Sequence, residues 1–206
     1  MNKPGERKLQ ILQTLAEMLE NPRGEKITTA ALAGKLACSE AALYRHFASK
    51  AQMFEGLIDF IETSLFSVIN QISAEEAQGL KQVEHILALL LSFAKRNRGM
   101  TKVLTGDALV NEDERLQARI NQLHNKIEAS LKQSLRIAAT ESQWAAKADF
   151  SALANLLLCY VMGRWQQYVK SGFTNEPLAY WPQQWSMLSQ CFLEPETLAD
   201  SLTRLR

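Results

Sequence analysis

The chain has 206 residues, 47% of them apolar and 22% charged, a composition that excludes a disordered chain and supplies enough apolar material for a real core. Nine Gly and five Pro exclude a collagen-like or linker-rich protein. The formal net charge is +1, and that average argues against a nucleic-acid binder, whose usual sign is a basic footprint.

The chain reads as helix after helix. Leu9, Leu12, Leu15, Ala16 and Leu19 recur at three- and four-residue steps, the stripe of an amphipathic first helix that Asn21-Pro22-Arg23-Gly24 ends. Thr28 and Thr29 are N-cap candidates for a short second helix ending near Leu36, and Ser39 caps a third that runs to Phe47. Ser49 opens a long fourth helix over 50–72, with Met53, Leu57, Phe60, Ile61, Leu65, Val68 and Ile72 on its apolar side. A fifth helix spans 81–95 and is broken by Arg98-Gly99, and 101–110 reads as a short helix. Residues 114–137 form another, 140–144 a loop, 150–171 a long apolar helix ending at Gly172, and 180–193 the last. No run alternates with period two, so the fold class is all-α. The tail 195–206 is weakly patterned and frays.

Cys38, Cys159 and Cys191 are odd in number and far apart, with no C-x-x-C pair, which suggests neither a disulfide framework nor a zinc site. The N-terminus lacks the form of a secretory signal, and the longest apolar runs, 86–91 and 156–162, fall far short of the roughly 20 residues a spanning helix needs. A cytoplasmic protein that does not enter the membrane is expected.

The most specific local feature is TTAALAGKLACSEAALYRHF over 28–47. Ala33 is small where a second helix must cross closely, and Leu32 and Leu36 pack beside it. A tight turn follows at Ala37-Cys38-Ser39, and Leu43 and Phe47 face inward from the second helix. At about 100° per residue the opposite face carries Ala41 and Arg45, flanked by Ala42 and Tyr44. Two alanines permit close approach to a major groove and contact with a thymine methyl. Arg45 reaches guanine or a phosphate, and Tyr44 a phosphate. His46 sits near the phosphates, and Lys50 with the Thr28/Thr29 cap holds the DNA backbone on either side. A helix–turn–helix of this size also serves as a plain structural unit in helical bundles, and spacing alone leaves both readings open. The turn calls for positive φ at Ala37, where Ala costs up to roughly 1 kcal/mol relative to Gly.

The run Leu43-Tyr44-Arg45-His46-Phe47 followed by Ser49-Lys50 resembles the N-terminal signature of the TetR family. RNRGMTKVLTGDAL at 96–109, Glu112, and RLQARINQL at 115–123, with SEAALYRHF and LIDFIETSL at 57–65, resemble one subgroup of it, the SlmA-type nucleoid occlusion factors. The similarity covers roughly residues 7–193. It implies a TetR-like all-α homodimer, with a DNA-binding domain at 1–50 running into the fourth helix and a helical regulatory and dimerisation domain at 51–206. It also implies binding to palindromic double-stranded DNA and, on DNA, binding of the division protein FtsZ that antagonises ring assembly over the nucleoid. Higher-order assembly on DNA stays open. Phe60, Leu89, Arg96 and Asn97 match the positions where the FtsZ C-terminal tail is expected. Val68 stands where the pattern usually has arginine, and Ser92 where it usually has glycine. Read without the resemblance, Phe60 and Leu89 are core residues.

Leu153, Leu156, Leu157, Tyr160, Val161, Trp165 and Tyr168 give 150–171 more apolar surface than one neighbour covers, and Trp181, Trp185 and Leu188 add to it. A four-helix interface between two subunits buries both faces, and an internal bundle core is the other reading. A ligand-responsive repressor is the alternative function, with a pocket near Trp165. No Gly-rich phosphate loop, nucleophile elbow or metal-ligand spacing is present, so no enzyme, cofactor or metal is expected. Residues 1–50 carry eight Lys/Arg against five Asp/Glu, and the rest fifteen against seventeen. The near-zero total thus averages a modestly basic head and a slightly acidic body.

Overall fold

A computed structural model describes residues 4–21, 27–142 and 149–193. The described residues form α-helices and one 3₁₀ turn, with no strand: α1 (Pro4–Leu19), α2 (Thr29–Lys35), α3 (Glu40–Tyr44), α4 (Lys50–Glu75), α5 (Gly79–Arg96), α6 (Arg98–Leu104), the 3₁₀ turn Asp107–Leu109, α7 (Glu114–Ser142), α8 (Phe150–Lys170) and α9 (Trp181–Leu193). The all-α fold expected from the sequence is the fold observed.

The head is α1–α3 with the start of α4. Ile11, Leu12, Leu15, Ala16 and Leu19 bury one side of α1 against Leu32, Ala33, Leu43 and Phe47. Ser49 starts α4: its hydroxyl accepts from the Gln52 amide at 3.1 Å, and the Gln52 side chain reaches back to the Ala48 amide at 2.8 Å, a reciprocal cap that leaves few orphan donors at this end. The body is built from α5, α7 and α8, with α4 packed along α5 and α7. Its centre is Trp165, whose indole N–H donates to the Leu90 carbonyl at 3.1 Å, so the one polar atom of the largest core side chain is satisfied. Head and body meet where α6 crosses α1.

Several expectations are corrected. Leu9 is 39% exposed, because the buried stripe of α1 runs through Ile11 instead. On α4, Val68 is 37% exposed and Ile69 is buried, since the interior arc set by Met53, Leu57, Ile61 and Leu65 reaches 69. α3 ends at Tyr44, yet Phe47 still donates its amide to Leu43 at 3.1 Å and keeps its ring inside. The break after α5 falls at Asn97; Arg98-Gly99 begins α6, which closes at Leu104 before Gly106 turns the chain at φ 80°. Residues 140–142, expected in a loop, continue α7, where Ala138 and Ala139 are buried and the Glu141 carboxylate accepts from the Gly79 amide at 3.1 Å. The expected stop at Pro22-Arg23-Gly24, the rest of the 140–144 loop, and the tail 195–206 lie outside the described residues.

Candidate nucleic-acid interface and partner surfaces

The helix–turn–helix forms as its capping residues dictate. Thr28 is the N-cap of α2, its hydroxyl accepting from the Ala31 amide at 3.1 Å, and Ser39 is the N-cap of α3, accepting from the Ala42 amide at 3.3 Å. Both side chains therefore set helix starts. The turn between them places Ala37 at φ 50°, the left-handed conformation expected there. Leu43 and Phe47 are inside, and Ala41, Tyr44 and Arg45 are exposed, with Ala42 and His46 half-buried at the edges. Among the described residues the Arg45 side chain has no hydrogen-bond or ion-pair partner.

Two of the candidate DNA contacts already have partners within the protein. The Thr29 hydroxyl donates to the carboxylate of Glu40, at 2.5 Å, from the first residue of α2 to the first residue of α3. The Lys50 ammonium is paired with Glu112, largely out of solvent, and lies 5.6 Å from the centre of the Phe54 ring. In the free protein this pair ties the start of α4 to the loop before α7. Glu40 and Glu112 are the partners that the sequence did not point to. The only sequence signal for Glu40 is its place as the first residue after an N-cap, facing a hydroxyl that begins the preceding helix.

On the body, Phe60 of α4 and Leu89 of α5 are half-buried, each packed on the core edge of two helices that lie against each other. Ser92 and Phe93 are also half-buried, and Arg96 is exposed at the end of α5 with no partner among the described residues. Asn97 joins α5 to α6, and its amide donates to the Phe93 carbonyl at 2.9 Å. The four residues lie along the α4–α5 layer, but Asn97 has a structural bond of its own.

The expected dimer face divides in two. Leu157, Val161 and Trp165 are fully buried within the single chain, against α5 and α7, so they belong to the protomer core and not to an interface. Their neighbours a third of a turn away point outward: Leu156 is 51% exposed, and Cys159, Met162 and Gly163 are exposed with it. Leu153 and Tyr160 are half-buried at the edge. Tyr160 donates to Gln184 at 2.8 Å, and Trp181 stacks on Trp185 with ring centres 5.7 Å apart. Both tryptophans are half-buried and Met187 is 66% exposed, so α8 and α9 each leave apolar side chains at the surface of the single chain. Trp165, beside which a ligand pocket was the alternative expectation, is itself enclosed, with its ring centre 6.1 Å from that of His124.

Among the described residues no group of three His, Cys, Asp or Glu is placed to hold a metal ion, and no helix is long and apolar enough to cross a membrane.

Residues 24–57 match the family described as bacterial regulatory proteins of the TetR family, and 77–192 match the SlmA-like tetracyclin repressor-like C-terminal domain. The nucleoid occlusion factor SlmA of Marinomonas sp. strain MWYL1 is 49% identical over 189 residues, covering 92% of this chain and 96% of that one. This chain belongs to the SlmA family. The SlmA of Idiomarina loihiensis is 50% identical over 184 residues, 89% of this chain and 94% of its own. Solved structures share the TetR fold at low identity. A TetR transcription regulator from Haloarcula marismortui superposes with a TM-score of 0.74 at 16% identity, over 91% of this chain and 98% of that one. FadR of Bacillus subtilis in complex with stearoyl-CoA superposes with a TM-score of 0.71 at 14% identity, over 87% and 96%. The SlmA relatives match along the body as well as the head, and the C-terminal match separates this family from TetR regulators at large.

Proposed function

We propose that this protein is a nucleoid occlusion factor. As a homodimer it binds palindromic chromosomal DNA through α2 and α3, and in that state it binds the C-terminal tail of FtsZ and antagonises Z-ring assembly over the nucleoid. The observation that carries the reading is the match of head and body together to nucleoid occlusion factors at about half identity. It acts in the cytoplasm, associated with the nucleoid, and is a regulator without an enzymatic reaction. The reading head is residues 1–50 and the regulatory body 51–206.

The residue chemistry supports this division. Arg45, exposed and unpaired, is the base or phosphate contact of α3, beside the small Ala41 and Ala42 that allow close approach. Thr28 and Ser39 orient the two helices, and Tyr44 and His46 lie toward the phosphates. The α8–α9 face pairs two chains about a two-fold axis through Leu153, Leu156, Tyr160, Trp181 and Trp185, and sets the two α3 helices about one DNA turn apart. The α4–α5 face offers Phe60 and Leu89 as apolar seats and Arg96 as a cation for an acidic peptide. With Val68 exposed in place of a cation, the charge for that peptide is concentrated at the Arg96 end.

Separation of function tests the reading. Arg45→Ala weakens selected duplexes by about 1–3 kcal/mol. Arg96→Glu leaves DNA affinity intact and removes the effect on FtsZ; loss of both would make Arg96 structural.

A further inference from the structure

A carboxylate on a surface that meets DNA needs a reason. Glu40 is exposed and is the first residue of α3, the helix end that helix–turn–helix proteins bring closest to base edges. Its negative charge is repelled by every phosphate nearby, so in a DNA interface it costs affinity unless a donor meets it. Inside the protein one donor does: the Thr29 hydroxyl, 2.5 Å from Oε2. Glu40 makes no ion pair with a described cation. An ionised carboxylate accepts only, at two oxygens with about four lone-pair sites, so a single hydroxyl leaves most of its capacity open.

The geometry points to Glu40 as a specificity-determining residue of the DNA interface: its carboxylate accepts from the N4 amino group of a cytosine in each half-site, with the Thr29 hydroxyl holding it in place. In the major groove, guanine shows two acceptors and thymine an acceptor and a methyl group, none of which can meet an acceptor-only group. Adenine offers the N6 amino group but sets the N7 acceptor beside it, against the second carboxylate oxygen. Cytosine offers the N4 donor alone. Thr29 is the positioning residue. Its hydrogen bond fixes one glutamate rotamer before DNA arrives, which lowers the ordering cost of the contact. It also links the start of α2, the helix that lies toward the DNA backbone, to the residue that reads the base.

The inference rests on the DNA-binding reading, and one experiment separates the two. The full-length protein selects binding sites from a randomised palindromic duplex pool. Affinities for the selected duplex, and for duplexes with each half-site pair exchanged symmetrically, are then measured by fluorescence anisotropy. For the native protein, replacing the cytosine at one half-site position weakens binding roughly tenfold per half-site, and about a hundredfold on the full site. Glu40→Ala erases the preference at that position and no other. Glu40→Gln, nearly the same shape, moves it toward adenine, which glutamine pairs through N6 and N7. Thr29→Val weakens the preference without moving it. If the Glu40 variants change affinity for every duplex by one common factor and keep the preference profile, the carboxylate is only a fixed charge at a helix start and the inference is wrong. If the native protein selects no sequence, the DNA-binding reading falls and takes this inference with it.

Discussion

Gly99 of α6 lies directly against the backbone of Ala16 in α1: a Cβ at position 99 would stand 1.9 Å from the Ala16 carbonyl oxygen. Backbone cannot yield as a flexible side chain does, so the head sits on the body only because position 99 has no side chain. Gly99→Ala forces the two helices apart and lowers stability by about 1–3 kcal/mol, the usual range for overpacking. Gly34, in the exposed part of α2, has open space where its Cβ would be. Gly34→Ala therefore stabilises, by roughly 0.5–1 kcal/mol through helix propensity. Thermal melts of the two variants should shift in opposite directions.

The Lys50–Glu112 pair joins positions 62 apart in sequence and is the side-chain counterpart of that seam. Lys50→Ala and Glu112→Ala each leave the other charge partly buried without its partner, and each costs about 1–2 kcal/mol. The double variant costs less than the two single losses together, which a double-mutant cycle reads directly. Because the ammonium is held by Glu112, Lys50→Ala should leave the salt dependence of DNA binding unchanged. A slope reduced by about 0.9 per head would place Lys50 on a phosphate instead.

Ala37 occupies the left-handed region at φ 50°. Any L side chain is strained there, and glycine is not. Ala37→Gly should raise the unfolding free energy by about 0.5–1 kcal/mol, measured by urea denaturation with an unchanged m-value.

His124 makes the body sensitive to acid. It is buried on α7, its ring bonded to the Leu104 carbonyl, and its Nε2 has no hydrogen-bond partner. Burial pushes its pKa below the ordinary 6.5, with the Leu104 bond opposing. Above that ordinary value both folded and unfolded forms are neutral and nothing is lost. As pH falls below it, the unfolded chain takes up a proton that the folded chain refuses. Stability then declines by about 1.4 kcal/mol per unit until the lowered folded value is reached. His124→Phe should flatten the slope of stability against pH on the acid side of 6.5.

What was legible in the sequence follows from what each signal measures. Caps are local chemistry, so Thr28, Ser39 and Ser49 stood in the sequence as the caps they are. The strain at Ala37 was equally local. An apolar run without clear periodicity does not say which arc faces home, so spacing alone does not tell that Leu157, Val161 and Trp165 of α8 turn inward and Leu156 outward. Glycine in a helical pattern signals a break, but Gly99 stands inside α6 because of the α1 crossing. Long-range partners such as Lys50 with Glu112, or Gln82 with Ser134 at 2.9 Å in the core, leave no trace in spacing.

On the proposed function, DNA switches on an activity against FtsZ. FtsZ polymerisation followed by light scattering, with this protein alone, with its selected palindromic duplex alone, and with both, tests it most directly. Polymers should be strongly reduced only when protein and duplex are present together, and Arg96→Glu should abolish the reduction while still binding the duplex. Polymers left untouched by protein and duplex together would contradict it.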